Sequence, residues 1–252
     1  MLGGILLLVV VAIFVLSMLA ESLAQYIPFN AERQLVSIHQ VSQQEETPIN
    51  RYLQQVADKV AASQSLPDGM TITVHYVDED TVNAFATLGG HIFLYRGLLE
   101  KLPHENALTM LIGHEVAHIK HRHPIRGMGR AVVIGIAIGM INGSVGNEVV
   151  GQVLGETGFM TALKFNRDQE LEADREALAA VEEIYGHVNG TSDLFKILQQ
   201  SAPEGGGELE IFSTHPMVSE RINRINGGVE GEKLPLPAGF ADWLIADQRG
   251  AR

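Results

Sequence analysis

The chain has 252 residues, of which 46% are hydrophobic and 19% charged, so it is long enough for one large or two small domains and is not a disordered acidic chain. Its 18 lysines and arginines against 30 aspartates and glutamates give a net charge of −12, which excludes the basic surface that nucleic-acid binding needs. There is no cysteine, which excludes disulfides, thiol nucleophiles and cysteine-ligated zinc but is compatible with any redox compartment.

Residues 1–20 are an uncharged apolar run, long enough to span a bilayer. We expect a transmembrane anchor; the alternative is a secretory signal with an apolar core at 5–16 and small residues at Ser22 and Ala24 for cleavage. The first basic residue is Arg33, so the signal lacks its usual basic start and the membrane orientation is weakly determined. Either interpretation predicts a membrane-anchored or exported protein, periplasmic or otherwise extracytoplasmic in a bacterium.

The rest of the chain is predicted to be a linker, 21–30, followed by one domain, 31–252. A polar helix is expected at 31–44, and a second helix begins where Thr47 is suited to cap and Pro48 occupies the first helical position. Alternating β-branched residues then predict a small meander of three strands, with the last two joined around Gly89 and Gly90. The expected strands are 71–77, 82–87 and 91–95.

The second half of the chain is predicted to be mainly helical. The segment 131–156 has glycines at close intervals, which favours tightly packed helices; a membrane-dipping hairpin is the alternative. Pro124 is expected to end the helix before it. The remaining expected elements are helices at 105–121 and 161–185, a helix after Thr191, a flexible glycine-rich loop at 202–207, a helix opened by Pro216 and a short last helix with Trp243.

The motif His114-Glu115-Val116-Ala117-His118 is the strongest chemical signal in the sequence. Residues four apart share one face of a helix, so the two imidazoles can reach one metal ion, and Glu115 is placed to act as the base for its water. The apolar residues Leu108 and Ile112 belong to a stripe on the other side, which we expect to face the core.

Two histidines leave zinc without its third protein ligand. His121 and His123 do not have the metzincin spacing, and we expect them at a solvated helix end. A better candidate comes from Glu170 and Asp174, which share a helix face: one carboxylate can bind the metal while the other accepts the N–H of a ligand imidazole.

Their neighbours Glu172 and Glu176 are expected on an exposed charged face.

Together these motifs resemble the M48 (Ste24-like) zinc metallopeptidases over roughly residues 70–225. The segments that carry the resemblance are His114 to His118, Glu170 to Asp174, Thr214-His215-Pro216 through Arg221-Ile222, and, before the metal helix, Asn83-Ala84-Phe85, Gly89 to Phe93 and Gly97 to Leu99.

The resemblance implies a gluzincin-type zincin domain, α+β and mainly helical, whose small sheet would hold substrate backbone at its edge strand. It implies Glu115 as the catalytic base and Asp174 as the partner of a ligand imidazole. It also implies one Zn²⁺ per chain and its ligands: His114, His118 and Glu170. Leu88 and Asn166 depart from the family pattern, at a turn and at a helix start.

His215 lies between the glycine-rich loop and Pro216. A zinc peptidase needs a donor for the oxyanion of its tetrahedral intermediate, and His215 or Arg221 could supply it. Alternatively, His215 occupies the open metal position in a closed state of the enzyme.

The sequence therefore predicts a zinc metalloendopeptidase that hydrolyses unfolded proteins or peptides with zinc-activated water, Glu115 taking the proton. It is expected to contact the membrane through residues 1–20 and, in a bacterium, to serve envelope protein quality control. One alternative is a gated substrate-binding or chaperone-like protein of the same fold. Another is a non-haem iron protein with two histidines and one carboxylate, against which Glu115 argues, because iron needs no base at that spacing.

Overall fold

The computed structural model describes residues 2–35, 47–142, 163–201, 209–216, 221 and 230–250. Four predicted segments lie wholly or largely outside these residues. They are the polar helix beyond residue 35, the glycine-rich segment beyond residue 142, the loop at 202–207 and the helix opened by Pro216. The described helices are α1 (Leu2–Ala24), α2 (Phe29–Leu35), α3 (Pro48–Ser63), α4 (Arg96–Leu99), α5 (Glu105–Lys120), α6 (His123–Asn142), α7 (Arg167–Tyr185), α8 (Thr191–Gln200), α9 (Glu210–Thr214) and α10 (Phe240–Gly250). The strands are β1 (Thr73–Val77), β2 (Ala84–Ala86) and β3 (His91–Tyr95). The predicted fold class, mainly helical with a small sheet and an apolar N-terminal helix, is confirmed.

The sheet has the strand order β1-β3-β2, so the predicted meander is wrong. β3 lies in the middle, parallel to β1 and antiparallel to β2. The turn between β2 and β3 is at Leu88–Gly90, as predicted. The β1–β2 connection is held at the end of β3, because Arg96 pairs with Asp78 at 2.6 Å and with Asp80 at 2.9 Å. The chain therefore crosses the end of β3 after leaving β1, and β2 pairs with β3 on the side opposite β1.

Helix α5 runs through the centre of the domain. It is packed between α3, the sheet, α7 and α8, and every residue from Asn106 to Ile119 is buried. The predicted core stripe with Leu108 and Ile112 is therefore one part of a helix that is covered on all sides. The histidine side is buried as well because α7 lies across it, and this removes the metal motif from bulk water.

The approach of α5 to α7 depends on small residues. A Cβ atom on Gly113 would lie 3.2 Å from both Cα and Cβ of Ala177, so the two backbones come close together there. Gly113 is adjacent to His114, and Ala177 is one helical turn beyond Asp174. The contact therefore brings the two chemical motifs of the sequence together.

Local signals set most helix ends. Thr47 caps α3 as predicted, its side chain accepting from the backbone N–H of Asn50 at 3.3 Å. Asn166 forms a capping box with Gln169, so α7 begins at Arg167 and not at the predicted residue 161. Pro124 lies in the first turn of α6, a position that proline favours.

Helix α5 instead ends at Lys120, before Arg122 with its φ of 63°.

Helix α1 continues to Ala24, four residues into the segment predicted as a linker. Its last turns pack on α6: Ala24 is buried, and Glu21 pairs with Arg126 and Arg130. The stretch Gly3–Ala24 has a mean hydropathy of 2.9 and is long and apolar enough to cross a membrane.

The turn before β3 predicts a difference between two glycine variants. Gly69 and Gly90 both have positive φ, 77° and 84°, but space is open around Gly69, whereas a Cβ on Gly90 would meet the carbonyl oxygen of Thr71. Gly69→Ala should cost about 1–2 kcal/mol of backbone strain. Gly90→Ala should cost this strain and about 1–3 kcal/mol more, because the new Cβ would displace the Thr71 carbonyl. Urea unfolding of both variants measures the difference, and equal stability would contradict the close contact.

Candidate metal centre

Four buried side chains converge at the contact between α5, α7 and the end of α9. His114, His118, Glu170 and His215 each offer one donor atom, and these atoms all lie within 4.8 Å of one another. The Nε2 atoms of His114 and His118 are 3.0 Å apart, and each lies 3.5 Å from a carboxylate oxygen of Glu170. The i, i+4 spacing in α5 sets the imidazole pair, and α7 brings the carboxylate against it.

Glu115 lies beside this cluster and is 1% exposed. Neither of its carboxylate oxygens has a hydrogen-bond partner among the described residues, and the nearest described cationic or imidazole group is Nε2 of His215, 3.6 Å from Oε1. Burying a carboxylate without partners is costly. Its place next to two imidazoles therefore fits a group that meets a water or a substrate there.

The donor set also fits a bound cation. Two imidazole nitrogens and a carboxylate face one another in a buried site, and Nε2 of His215 has no hydrogen-bond partner within the described part of the chain. Nitrogen and oxygen donors in this combination suit zinc, and they suit ferrous iron as well. The residues present can thus hold one divalent metal ion.

Asp174 and Arg221 contact two members of the donor cluster, His114 and Glu170. Oδ1 of Asp174 lies 2.9 Å from Nδ1 of His114, on the side of the ring away from the cluster. Arg221 binds both oxygens of Asp174, at 2.7 and 2.9 Å, and contacts Glu170 Oε2 at 2.6 Å. The guanidinium offsets the two buried negative charges and holds the carboxylates in place.

His123 corrects a prediction from the sequence. It was expected at a solvated helix end, but it is fully buried. Its Nδ1 lies 2.9 Å from Nδ1 of His118, and its Nε2 lies 3.2 Å from Oε2 of Glu172. Phe165 stacks on the His118 ring at 3.9 Å between centroids and lies near His123 as well. The tight turn between α5 and α6 returns His123 under the metal motif, which spacing alone did not reveal.

The acidic residues expected on an exposed face have partners at the C-terminal end of α5, Lys120 and the capping residue His121. The Glu172 and Glu176 side chains are 36% and 30% exposed, and both lie 3.5 Å from ring nitrogens of His121. Glu176 also pairs with Lys120 at 2.7 Å. His121 is half-buried between the two carboxylates, so it lies on the α7 side and away from the four-donor cluster.

His215 lies inside the cluster. Its Nδ1 is 3.1 Å from Oε1 of Glu170 and 3.3 Å from Nε2 of His114. Arg221, the other candidate for an oxyanion donor, is turned toward Asp174, Glu170 and the Pro216 carbonyl. Both His215 and Arg221 line the space beside Glu115, but the guanidinium is already paired with two carboxylates.

The pKa values of the two histidines of the motif are shifted in opposite directions by their surroundings. Burial opposes protonation of His114, but contacts with Asp174 and Glu170 outweigh it and raise its pKa to about 9. Burial and the neighbouring His114 hold the pKa of His118 well below its usual value. Although burial acts in the opposite direction, His215 and His114 hold the pKa of Glu170 well below its usual value. Metals bind neutral imidazole, so protonation of His114 would compete with a cation for this centre.

An apolar pocket opens beside Glu115 and His215. Its walls come from α5, α8 and α9: Leu111, Leu194, Phe195, Leu198, Ile211 and Phe212. The lining is apolar, but the accessible space in this state is about 20 Å³, which is room for roughly one water molecule. These residues are far apart in the sequence, and no motif marked them.

The chain is similar in sequence to known proteins. The family model described as "Peptidase family M48" matches residues 48–229. The mitochondrial metalloendopeptidase OMA1 of Schizosaccharomyces pombe is 26% identical over 71% of this chain and 52% of its own length. The metalloprotease LoiP of Escherichia coli is 29% identical over 63% of each chain, and a putative beta-barrel assembly-enhancing protease of Vibrio cholerae is 25% identical over 69% of this chain and 38% of its own.

The chain thus spans between about two fifths and two thirds of these relatives. The match of the family model covers most of the chain and includes α5, α7 and α9, the helices whose residues meet at the metal centre. The resemblance seen in the sequence motifs is confirmed: the chain belongs to peptidase family M48.

Proposed function

We propose that this protein is a zinc metalloendopeptidase that acts on unfolded proteins or peptides. The observation that carries the proposal is the buried group of two imidazoles and a carboxylate next to a glutamate, Glu115, whose oxygens lack hydrogen-bond partners among the described residues. Membership of the family and the protease names of the relatives support it.

His114, His118 and Glu170 would hold one Zn²⁺ ion. Bound there, zinc would polarise the scissile carbonyl and lower the pKa of a water molecule. A non-haem iron centre would use the same three donors, but it has no need of an unpartnered carboxylate at Glu115. The donor set together with Glu115 therefore favours zinc.

Glu115 would act as the general base. Its buried carboxylate can take a proton from the attacking water and pass it to the leaving amine. The apolar pocket beside it would receive a substrate side chain. The edge strand β2 would hold the substrate backbone by strand addition.

Asp174 and His123 would keep the two imidazoles in place. Asp174 faces Nδ1 of His114 directly. His118 is held through an intermediate ring: if its Nδ1–H donates to Nδ1 of His123, then Nε2–H of His123 donates to Glu172. With a metal ion bound, both arrangements would place the ring proton on Nδ1 and leave Nε2 of each histidine free for the ion.

His215 would gate the site. Its nitrogens lie within reach of His114, Glu170 and Glu115, so in this state it fills the place that a substrate carbonyl or water would take. An enzyme with such a resting state would have low basal activity. This also accommodates the alternative of a gated substrate-binding protein, in which hydrolysis is negligible.

The working location would be a membrane surface. Helix α1 is long and apolar enough to be an anchor, with a cleaved signal as the alternative. The name of the Vibrio cholerae relative supports a role in envelope protein quality control.

Replacing Glu115 by glutamine should lower casein hydrolysis by at least about a hundredfold, since a general base contributes about 10²–10⁴ in rate. The zinc content should stay at one ion per chain, because Glu115 is not proposed as a ligand. Elemental analysis and casein assays on the same preparations measure both quantities. Zinc loss in this variant, or full retention of activity, would contradict the role.

Replacing Glu170 by alanine should remove most of the zinc, because the ion loses its carboxylate ligand. Glu183, exposed on the same helix, provides the matched control, and Glu183→Ala should bind zinc like the parent. Glu172→Ala should fall between the two, because Glu172 contacts His123 and not the donor cluster. Chelator competition gives the three affinities; equal affinity for all of them would mean that another residue is the third ligand.

His215→Ala should raise basal casein hydrolysis several-fold if the imidazole blocks the site. Zinc content of the variant is measured alongside. Lower hydrolysis with zinc intact would instead make His215 an oxyanion donor. Unchanged rate and metal content would remove it from the mechanism.

A further inference from the structure

Helices α1 and α6 lie side by side and antiparallel. Along α1 the side chains of Ile13, Ser17, Ala20, Glu21 and Ala24 are the less exposed ones, and their spacing defines one helix face. A Cβ on Gly129 of α6 would lie 2.9 Å from the Ala20 carbonyl oxygen and 3.0 Å from Ala24 Cβ. From this contact, α1 runs back toward residue 2 and α6 runs forward toward residue 142, both away from the catalytic helices.

The charges on the two helices stop at the same level. The first charged residue of α1 is Glu21, and no charged residue precedes it. The last charged residue of α6 is Arg130, and the next twelve residues carry no charge. Glu21 and Arg130 touch at 3.1 Å, and Arg126 lies 3.7 Å from the same carboxylate. This group marks one plane, with only uncharged helix beyond it on the described parts of α1 and α6.

Beyond that plane both helices expose large apolar side chains. On α6, Ile138 and Met140 are 53% and 63% exposed, and Ile134 is 40% exposed. On α1, most side chains from Ile5 to Leu19 are about half exposed or more. Exposed apolar surface of this extent is unfavourable in water. Because α6 lies against α1 on the same side of the charged plane, it shares whatever medium surrounds α1.

We propose that the apolar part of α6, Ala131 to Met140, is embedded in the hydrocarbon of a bilayer beside α1. The ten residues extend about 15 Å, half of a hydrocarbon core of about 30 Å, so α6 enters the membrane without crossing it within this segment. Arg126 and Arg130 lie at the headgroup level, where arginine is favourable. This inference rests on the proposed membrane association of α1.

Helix α6 would set the distance of the metal centre from the membrane. His123, which contacts His118, is the first residue of α6, and Ala131 lies eight positions further along the helix. That length of helix is about 12 Å. On this proposal the centre would lie near the bilayer surface, and the peptide bonds within its reach would be those that emerge close to the membrane.

The absence of cysteine makes a direct test possible. Single cysteines are introduced by Ile138→Cys, Met140→Cys, Phe14→Cys and Ala179→Cys, labelled with a polarity-sensitive fluorophore and placed as full-length protein in phosphatidylcholine–phosphatidylglycerol vesicles. Phe14 is the α1 reference, and the exposed Ala179 on α7 is the aqueous reference. Two α6 positions guard against a variant that fails to fold, and zinc content reports folding without an activity assay.

We expect both α6 labels to be quenched by lipids with a quencher in the acyl chain, like the Phe14 label, and to be at least fivefold less sensitive to iodide than the Ala179 label. If the α6 labels behave like Ala179 while Phe14 is quenched by lipid, α6 lies outside the bilayer and the proposal is wrong. If Phe14 is also unquenched, or the mature chain begins near Gln25, the anchor itself fails and the proposal with it. Peptidase activity enters none of these readouts, so the proposed catalytic function is tested separately.

Discussion

The close approach of α5 and α7 is the constraint on which the rest of the molecule depends. Gly113 and Ala177 carry so little side chain that the two backbones come almost into contact. One helix supplies two imidazoles at i and i+4, and the other supplies two carboxylates at the same spacing. Their convergence requires a separation that larger side chains at this crossing would prevent. The site is therefore a property of helix packing before it is a property of any loop.

That packing buries many ionisable groups together. Glu170 and Asp174 are nearly inaccessible, and Arg221 stabilises both. Buried ion pairs recover their desolvation cost only when the geometry is good and the remaining lone pairs are satisfied. In this centre both oxygens of Glu115 and Nε2 of His215 are among the buried atoms that lack hydrogen-bond partners within the described residues. A metal ion and its water would satisfy such groups, so ligand binding and the stability of this region are coupled.

The turn between α5 and α6 links the candidate metal centre to the helix that packs along α1. The side chain of His123 contacts His118, and His123 is also the first residue of α6, the helix that lies along α1. A displacement of α6 would act on the His118 imidazole through its contact with His123. The same short turn, with Arg122 in a left-handed conformation and Pro124 in the first turn of the next helix, sets the direction of α6.

The sequence by itself determined the features that depend on neighbours within one helical turn. The spacing of His114 and His118 and the cap at Thr47 are of this kind, and both were predicted in place. The apolar run of α1 was predicted from its own side chains, but the helix ends at Ala24, four residues beyond the predicted boundary. The order of the strands, the burial of His123 and the contacts of Arg221 were decided by tertiary structure. They join elements that are brought together by packing: β1 to β3 past an intervening strand, and Arg221 to a helix 47 residues earlier in the chain. Periodicity reports which face of an element is apolar, but it carries no information on which other element covers that face.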